Sequence, residues 1–478
     1  MRRVRLGRSG SIALMIIAVY SAGTAQRLAI SRQSRVFVKV DAAVVAITNV
    51  RVIDGTGAPA RSGQTLILRD GDIVAMGPAS SMPAPDGAIV VDGAGKSVLP
   101  GLVMLHEHLY YPTGPGVYGQ LGASFVRLYL AGGVTTMRTG GNENGFMDMA
   151  LARGVDSGEI AGPAIDATAP YLNGSRPGSL QMTALKGPED ARRHVNYWAD
   201  QGATSFKAYM QISRDELAAA IDEAHKRGLK VTGHLCSVTL GEAADLGIDN
   251  LEHGFAAATD FLPGKRPDEC PDQGLGQESV IAADINGAPV KALIRKLVEQ
   301  NVALTSTLTV FETFTPGRPM PLGLDVLLPE LRVEFEAAYR RVANSTSPHY
   351  RLLFPKLMAL EVAFMRAGGL LVAGTDPTGS GGVIPGYSNQ RQVELMVEAG
   401  LTPLEAIRAA TLNGAKYLGR DGRIGSIVVG KQADLVLVDG DPATTIGDLR
   451  KVDTVFRKGI GFDPARLIDS VRGTVGLW

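Results

Sequence analysis

The segment GLVMLHEH, residues 101–108, is the most informative part of this chain for predicting its fold. In it, an apolar run of strand length ends in two histidines that are separated by one residue. Because side chains two positions apart on a β-strand point to the same face, His106 and His108 can reach one ion while Glu107 points away. The alternative is a pair of solvated loop histidines, so the interpretation depends on the strands that follow.

Seven further apolar or β-branched runs of strand length follow this one, and amphipathic helical stretches separate most of them. The eight runs lie at residues 101–106, 133–138, 163–169, 203–208, 229–234, 248–253, 302–308 and 370–375. The helical stretches include residues 215–227, 289–299 and 328–366. Strands that alternate with helices indicate parallel βαβ units. Eight such units predict an α/β fold of the (β/α)8 TIM-barrel type.

The segment from Leu308 to Gly369 is longer than the other connections of this predicted barrel. It begins with a proline-rich part that contains Pro316, Pro319 and Pro321, and it continues with a lengthy helical stretch. We interpret it as a loop insertion that can cover the active site.

The two ends of the chain have a β-rich pattern that differs from that of the middle. Residues 44–96 contain short alternating runs broken by Asp54-Gly55 and Asp70-Gly71, which are dipeptides that hairpin turns favour. Residues 433–438 and 452–456 repeat this pattern. The sequence therefore predicts a small composite β-sandwich domain, formed by residues 43–100 and 419–470, beside a barrel domain at residues 101–418.

The first 25 residues have the organisation of a secretory signal peptide. Four arginines precede an apolar run from Ser11 to Ala22, and small residues at 23–25 offer a cleavage site. The apolar run is too short for a spanning helix, although an uncleaved membrane anchor is the alternative. We expect an exported protein, periplasmic or secreted, without stable membrane insertion after cleavage.

Composition excludes several classes of protein. The 478 residues include 48 Lys and Arg against 48 Asp and Glu, and this zero balance gives no basic footprint for nucleic acid. A hydrophobic content of 45% is too high for a disordered chain. Two cysteines exclude a disulfide-rich scaffold and a zinc site made of four cysteines. Assembly as a homo-oligomer is left open.

Four more candidate metal ligands lie where predicted strands end. Lys207 is on the fourth strand, His234 and His253 end the fifth and sixth, and Asp376 follows the eighth. The carboxyl ends of barrel strands form the face where active sites lie. Together with the two histidines of the first strand, these residues predict one metal site.

Several motifs together carry a resemblance to a known family. They are LPGLV at 99–103 before the two histidines, GVTT at 133–136, GH at 233–234, LEHG at 251–254, AGTD at 373–376 and GKQADLV at 430–436. From about residue 44 to residue 457 the chain resembles the amidohydrolase superfamily, and within it the imidazolonepropionase-like and Xaa-Pro dipeptidase-like branch.

The resemblance implies the predicted architecture and two divalent metal ions, usually zinc. It implies that His106, His108 and Asp376 hold the more buried ion and that His234 and His253 hold the more exposed one. It further implies that CO2 carboxylates Lys207, which then bridges both ions as a carbamate. A free ammonium cannot bind a metal, so the alternative for Lys207 is a salt-bridged or catalytic amine in a mononuclear site.

The implied chemistry suits these residue types. Neutral imidazole is a good zinc ligand, and paired ions lower the pKa of a bridging water so that hydroxide forms near neutral pH. Asp376 is then placed to take the proton and deliver it to a leaving nitrogen.

We expect a binuclear metal-dependent amidohydrolase that uses a metal-bridging hydroxide to cleave an amide bond in a small substrate, of the peptide or N-acyl amino acid type. The alternatives are a mononuclear deaminase or cyclic amide (imidazolone) hydrolase and a catalytically inactive scaffold.

Candidate substrate-binding residues lie at or just past the predicted strand ends. They are Tyr110, Tyr111, Arg138, Tyr171 and Tyr209. Arg138 can bind a substrate carboxylate through a bidentate contact, or it is a structural arginine paired with a neighbouring acid. The chain departs from the branch in residues 138–141 (RTGG), where many relatives place an acid after the arginine, and in residues 208–210 (AYM) after Lys207, where many have a glycine-rich stretch.

The cysteines and the remaining histidines complete the list of candidates. Cys236 follows the fifth strand and Cys270 lies in the loop after the sixth, so both loops emerge from one face of the predicted barrel. In an oxidising compartment this predicts a disulfide; the alternative is one buried and one exposed thiol. His194 and His225 are expected on helix surfaces, whereas His349 can approach the site through the insertion.

Overall fold

The structure is a computed structural model that describes residues 28–114, 117–175 and 182–476. The predicted signal peptide, residues 1–25, lies outside these ranges, so its cleavage and the export of the chain stay predictions. Within these ranges, no helix has both the length and the apolar character needed to cross a membrane.

Strands and helices alternate through most of the described chain. The strands are β1 (Val38–Val40), β2 (Val44–Val52), β3 (Arg61–Arg69), β4 (Asp72–Pro78), β5 (Ile89–Asp92), β6 (Lys96–Pro100), β7 (Leu102–Glu107), β8 (Tyr110–Gly114), β9 (Val117–Gln120), β10 (Val134–Thr139), β11 (Ala164–Asp166), β12 (Ser205–Ala208), β13 (Lys230–Gly233), β14 (Asn250–Glu252), β15 (Ala303–Ser306), β16 (Leu371–Ala373), β17 (Leu435–Asp439), β18 (Val452–Arg457) and β19 (Ile460–Phe462). The α-helices are α1 (Arg32–Arg35), α2 (Gly122–Ala131), α3 (Gly145–Asp156), α4 (Pro188–Asp200), α5 (Arg214–Lys226), α6 (Leu240–Asp245), α7 (Gln273–Ala282), α8 (Ala288–Glu299), α9 (Leu308–Thr313), α10 (Pro329–Ala343), α11 (His349–Arg366), α12 (Tyr387–Glu398), α13 (Pro403–Arg408), α14 (Gly414–Tyr417) and α15 (Pro464–Asp469).

Strands from both ends of the described chain meet in one nine-stranded sheet. Its order is β1-β19-β18-β17-β6-β2-β3-β4, and β5 pairs with β2. Asp70 and Gly71 join β3 to β4 with φ angles of 50° and 92°, the left-handed values that a two-residue hairpin turn of type I′ requires. The predicted turn at Asp54-Gly55 lies instead in a longer connection between β2 and β3. That this sheet forms a sandwich stays a prediction.

Two parallel sheets form the middle of the molecule. One has the order β11-β10-β7 and the other the order β12-β13-β14-β15-β16, and each of the eight predicted strands overlaps one of these elements. Thr168 and Ser205 form a bridge between the two sheets. At the opposite edge, the backbone N–H groups of Thr375 and Asp376 both donate to the carbonyl of His106 at 3.0 Å. The prediction of an α/β fold with parallel strands is confirmed.

The insertion between the seventh and eighth predicted strands is mostly helical. It begins with α9, where a loop was expected, and residues 328–366 form the two helices α10 and α11 rather than one. The chain from Asn344 to Pro348 separates them, because a proline disfavours helical backbone at the residue before it. The predicted helices at 215–227 and 289–299 correspond to α5 and α8.

Candidate metal centre

The structure brings the six predicted metal ligands into one cluster at the strand ends, in which all but His234 are buried. The ring centroid of His106 lies 5.2 Å from that of His108 and 4.5 Å from that of His253. The ring of His234 lies 4.3 Å from the ring of His253. Lys207 Nζ is 3.2 Å from His106 Nε2. The side chains come from β7, β12 and the ends of β13, β14 and β16, so parallel strands position them all.

His106, His108 and Asp376 form the tightest part of this cluster. One ligand atom of each residue lies within 4.8 Å of those of the other two, and all three side chains are buried. Asp376 Oδ1 is 3.2 Å from His108 Nε2 and 3.7 Å from His106 Nε2. Two imidazoles and a carboxylate at this spacing are a common ligand set for zinc.

The charge states of these groups suit metal binding. Burial lowers the pKa of His108 to about 4, so its imidazole is neutral near pH 7. Burial also lowers the pKa of His106. For Asp376, burial favours the protonated form, but the neighbouring histidines hold the pKa of its carboxyl well below the usual range. The cluster therefore offers neutral imidazoles and an ionised carboxylate.

Hydrogen bonds fix the orientation of three imidazole rings. His106 Nδ1 lies 2.7 Å from Glu252 Oε2, and His108 Nδ1 lies 3.1 Å from the carbonyl oxygen of Gly141. Both acceptors place the hydrogen on Nδ1 and leave Nε2 available as a ligand. His253 Nδ1 contacts Thr307 Oγ1 at 2.9 Å.

His253 Nε2 is buried and has no hydrogen-bond partner in the described part of the chain. A buried polar atom without a partner is costly, and a bound cation would satisfy it. The donor set and this orphaned nitrogen therefore fit a metal ion.

Lys207 lies beside His106, and His234 lies beside His253. Burial lowers the pKa of Lys207 to about 8, against the opposing effect of Glu252 and Asp376. A neutral amine is the form that reacts with CO2, so this environment is compatible with a carbamate. His234 is partly exposed, and its ring packs 4.9 Å from that of Tyr209.

The backbone of two ligands is in the left-handed region. His253 has a φ of 65° and Asp376 a φ of 57°, values that are uncommon for residues other than glycine. Such conformations cost free energy and tend to occur at functional sites. Gly140 is also constrained, because a Cβ there would lie 2.5 Å from the His106 ring. The glycine at this departure from the branch pattern therefore leaves room for the imidazole ring of His106, a candidate metal ligand.

Three of the predicted substrate-binding tyrosines line the cluster. The Tyr110 and Tyr171 hydroxyls are 2.5 Å apart, and the Tyr110 ring stacks 4.4 Å from His108. The rings of Tyr171 and Tyr209 are 4.9 Å apart. Sequence reasoning missed Tyr118, whose ring lies 5.1 Å from that of Tyr110, because the β8–β9 hairpin that carries it was not predicted.

Tyr111 and Glu107 face away from the ligands. The Tyr111 hydroxyl accepts a hydrogen bond from the Gly382 backbone at 2.7 Å. The Glu107 carboxylate accepts one from Asn389 at 3.0 Å and another from Thr375, as expected from strand alternation. Both residues tie strand ends to the loop and helix that follow β16.

Arg138 does not reach the open side of the cluster, and this corrects its expected role in binding a substrate carboxylate. Its guanidinium is buried and donates to Ser205 Oγ at 3.0 Å, Leu105 O at 2.9 Å, Glu252 Oε1 at 3.0 Å and Thr232 Oγ1 at 2.7 Å. With so many protein acceptors around it, we assign Arg138 the structural role that was the alternative.

Cys236 and Cys270 form a disulfide, as predicted, with their Cα atoms 4.9 Å apart. The bond joins the chain just after His234 to the loop before α7. His349 Nε2 lies 2.7 Å from Gln277 Oε1, and Gln277 lines a small cavity of about 20 Å³ together with His234. His349 therefore approaches the site through Gln277.

His194 and His225 lie outside the cluster. His194 Nε2 contacts the carbonyl oxygen of Pro170 at 3.0 Å, and His225 Nε2 contacts Asp249 at 3.0 Å.

Comparison with known proteins gives consistent findings. A family model described as Amidohydrolase family matches residues 331–460. An uncharacterized protein of Mycobacterium tuberculosis is 28% identical over 253 residues, which are 53% of this chain and 53% of that protein. The chain thus spans about half the length of these first curated relatives. The imidazolonepropionase of Sphingopyxis alaskensis is 26% identical over 429 residues, which are 83% of this chain and 89% of that enzyme.

A solved structure shares the fold. The crystal structure of a Xaa-Pro dipeptidase with methionine bound in its active site superposes with a TM-score of 0.66 and is 20% identical. The match covers 88% of this chain and 100% of that one.

Proposed function

We propose that this chain, which belongs to the amidohydrolase superfamily, is a metal-dependent hydrolase that cleaves an amide or cyclic amide bond in a small substrate. The family match and the imidazolonepropionase relative support hydrolysis of a carbon–nitrogen bond. One observation carries the proposal: the buried side chains of His106, His108 and Asp376 lie close enough to share an ion, and Lys207, His253 and the partly exposed His234 lie beside them. A catalytically inactive scaffold would not need to keep all six.

We further propose that the two parallel sheets close into one eight-stranded barrel. The bridge between Thr168 and Ser205 supports closure on one side. The hydrogen bonds from Thr375 and Asp376 to His106 support it on the other. In such a barrel the cluster occupies the carboxyl-terminal face, where active sites lie.

We propose that the residues present can hold two divalent ions, and we call the two places the inner site and the outer site. The inner site comprises His106, His108 and Asp376, and the outer site comprises His234 and His253. Lys207, as a carbamate, would lie between them. When bound, the ions would lower the pKa of a water between them and polarise the substrate carbonyl.

Asp376 is positioned to move the proton in this reaction. Its Oδ1 accepts a hydrogen bond from Thr378 Oγ1 at 2.8 Å, and its Oδ2 lies 3.6 Å from His253 Nδ1. Held in this way, the carboxylate can accept the proton of the attacking water and deliver it to the leaving nitrogen. The paired hydroxyls of Tyr110 and Tyr171 can donate a hydrogen bond to an acceptor on the substrate and orient it.

Hydrolysis of a cyclic amide that lacks a carboxylate is the second candidate, because the contacts of Arg138 remove the reason to prefer a substrate with a carboxylate. A dipeptide or an N-acyl amino acid presents a carboxylate, and Arg138 was the expected partner for that group. Because Arg138 is enclosed by protein acceptors, a substrate without a carboxylate fits the described site equally well.

The test combines metal content with a substrate panel. Zinc-loaded protein is incubated with dipeptides, N-acyl amino acids and cyclic amides, and hydrolysis is followed by mass spectrometry. We expect about two equivalents of metal and turnover of at least one class. Asp376→Asn should lower turnover by at least roughly 10³-fold, whereas Asp148→Asn, a change at a buried aspartate outside the cluster, should retain it.

Absence of bound metal, or full activity of Asp376→Asn, would contradict the proposal. One equivalent of metal with retained hydrolysis would instead support a mononuclear enzyme.

A further inference from the structure

A buried ion pair lies directly beside the inner site. Arg138 Nη1 donates to Glu252 Oε1 at 3.0 Å, and the other oxygen of Glu252 lies 2.7 Å from His106 Nδ1. The side chains of all three residues are almost completely buried. A continuous chain of contacts thus runs from Arg138 through Glu252 to His106, which is a candidate metal ligand.

Burial of two opposite charges is expensive and is not by itself a source of stability. The pair is therefore expected to persist for a purpose other than stability. Glu252 uses its two oxygens for different partners, so fixing one of them determines where the other points.

Arg138 is well suited to fix Glu252. Besides Glu252, its guanidinium donates to Leu105 O on β7, Ser205 Oγ on β12 and Thr232 Oγ1 on β13. These contacts span three strands, in addition to β10, which carries the arginine, and β14, which carries Glu252. A planar guanidinium held at several edges is a rigid support, which a lysine ammonium cannot reproduce.

We propose that Glu252 is a positioning residue for His106, and that Arg138 holds Glu252 in place for this task. The carboxylate accepts the Nδ1 hydrogen of His106, which directs Nε2 towards the inner ion and sets the angle of the ring. This inference rests on the proposed function, because it requires that His106 bind a metal. Carboxylates that orient metal-binding histidines in this way typically change metal affinity 10- to 100-fold.

A purely structural ion pair makes a different prediction. Its loss would lower the stability of the fold but would not act selectively on the inner ion. The matched control is Glu361, a second fully buried glutamate, whose carboxylate accepts a hydrogen bond from Ser306 Oγ at 2.6 Å. No described contact joins it to a proposed ligand.

The experiment measures zinc affinity by chelator competition for the wild type, Glu252→Gln, Arg138→Met and Glu361→Gln. We expect the tighter ion to bind about 10- to 100-fold more weakly in the first two variants and unchanged in Glu361→Gln. Arg138→Lys, which keeps the charge, should recover part of the loss. Cobalt-substituted protein provides a spectroscopic signature, since a reoriented ligand alters the visible absorption bands.

A second measurement needs no variant. Long-range ¹⁵N–¹H spectra of the metal-free wild-type protein report which ring nitrogen of His106 carries the hydrogen. We expect Nδ1, and a hydrogen on Nε2 would overturn the inference even if Glu252→Gln failed to fold. Wild-type zinc affinity in a folded Glu252→Gln protein would overturn it as well. If the wild type itself binds no metal, the proposed function fails instead, so the two failures are distinguishable.

Discussion

The inner site and the outer site differ in how firmly the protein holds their ligands before any ion binds. In the inner site, the rings of His106 and His108 are anchored through Nδ1 to Glu252 and to the Gly141 carbonyl. In the outer site, His253 contacts Thr307, whereas His234 is partly exposed and packs mainly against the rings of Tyr209 and His253.

This difference suggests a division of work between the two sites. A preorganised inner site loses little entropy when it binds its ion, so it should bind tightly and first. If the proposed function holds, the outer site would depend more on the inner ion and on a carbamate at Lys207 to complete its geometry. Because His234 is partly exposed, we expect substrate to enter and product to leave on its side of the centre.

Removing one histidine from each site gives the largest expected effect. His106→Asn should abolish tight binding at the inner site and, because the outer site depends on it, also lower occupancy there. We expect kcat/KM to fall by at least about 10³-fold, since several kcal/mol of electrostatic stabilisation are lost. His234→Asn should keep close to one equivalent of metal. Metal content after gel filtration and the hydrolysis rate check both.

The order of the two losses is the informative result. If His234→Asn lost both ions while His106→Asn kept one, the outer site would be the organising one and the comparison would be reversed.

The disulfide provides a smaller perturbation that should act on the outer site alone. Cys236 lies two residues after His234, and its bond to Cys270 ties this chain to the loop before α7. Cys236→Ser combined with Cys270→Ser should weaken the more labile ion by about 10-fold and leave the tighter ion unchanged. Chelator competition on the wild type with and without reductant should give the same difference, and reductant should not affect the double variant.

Much of the fold, and the meeting of the candidate ligands at the strand ends, could be predicted because the relevant signals are local. Each ligand ends or follows an apolar run, so the order of strands and the choice of ligands can be read from short stretches such as LEHG at 251–254. Helix lengths were less reliable: residues 344–348 read NSTSP, a cluster typical of a loop, but residues 328–366 were predicted as one helical stretch across it.

The partners of these residues could not be predicted, because they are distant in sequence. Glu252 lies 114 residues from Arg138 and 146 from His106, and no periodicity links such positions. The sequence therefore favours neither a substrate carboxylate nor an acidic residue of the protein as the partner of Arg138. Only the packing of β7, β10 and β14 shows that the partner of Arg138 is Glu252.

The smallest effect concerns Glu361, a buried glutamate next to Gly254 that, among the described residues, has no arginine partner of the kind that Glu252 has. Burial raises the pKa of Glu361 from 4.5 to about 8. Between these two pH values the native state keeps a proton that the unfolded state releases, so the contribution of this group to stability falls as pH rises. Glu361→Gln removes the ionisable group, so urea unfolding should show a gain in stability over wild type that is present at pH 9 and largely absent at pH 5. An equal change at both pH values would mean that the folded protein stabilises the ionised side chain of Glu361 as well as that of Glu252. The two buried glutamates would then not differ in how their charge is stabilised.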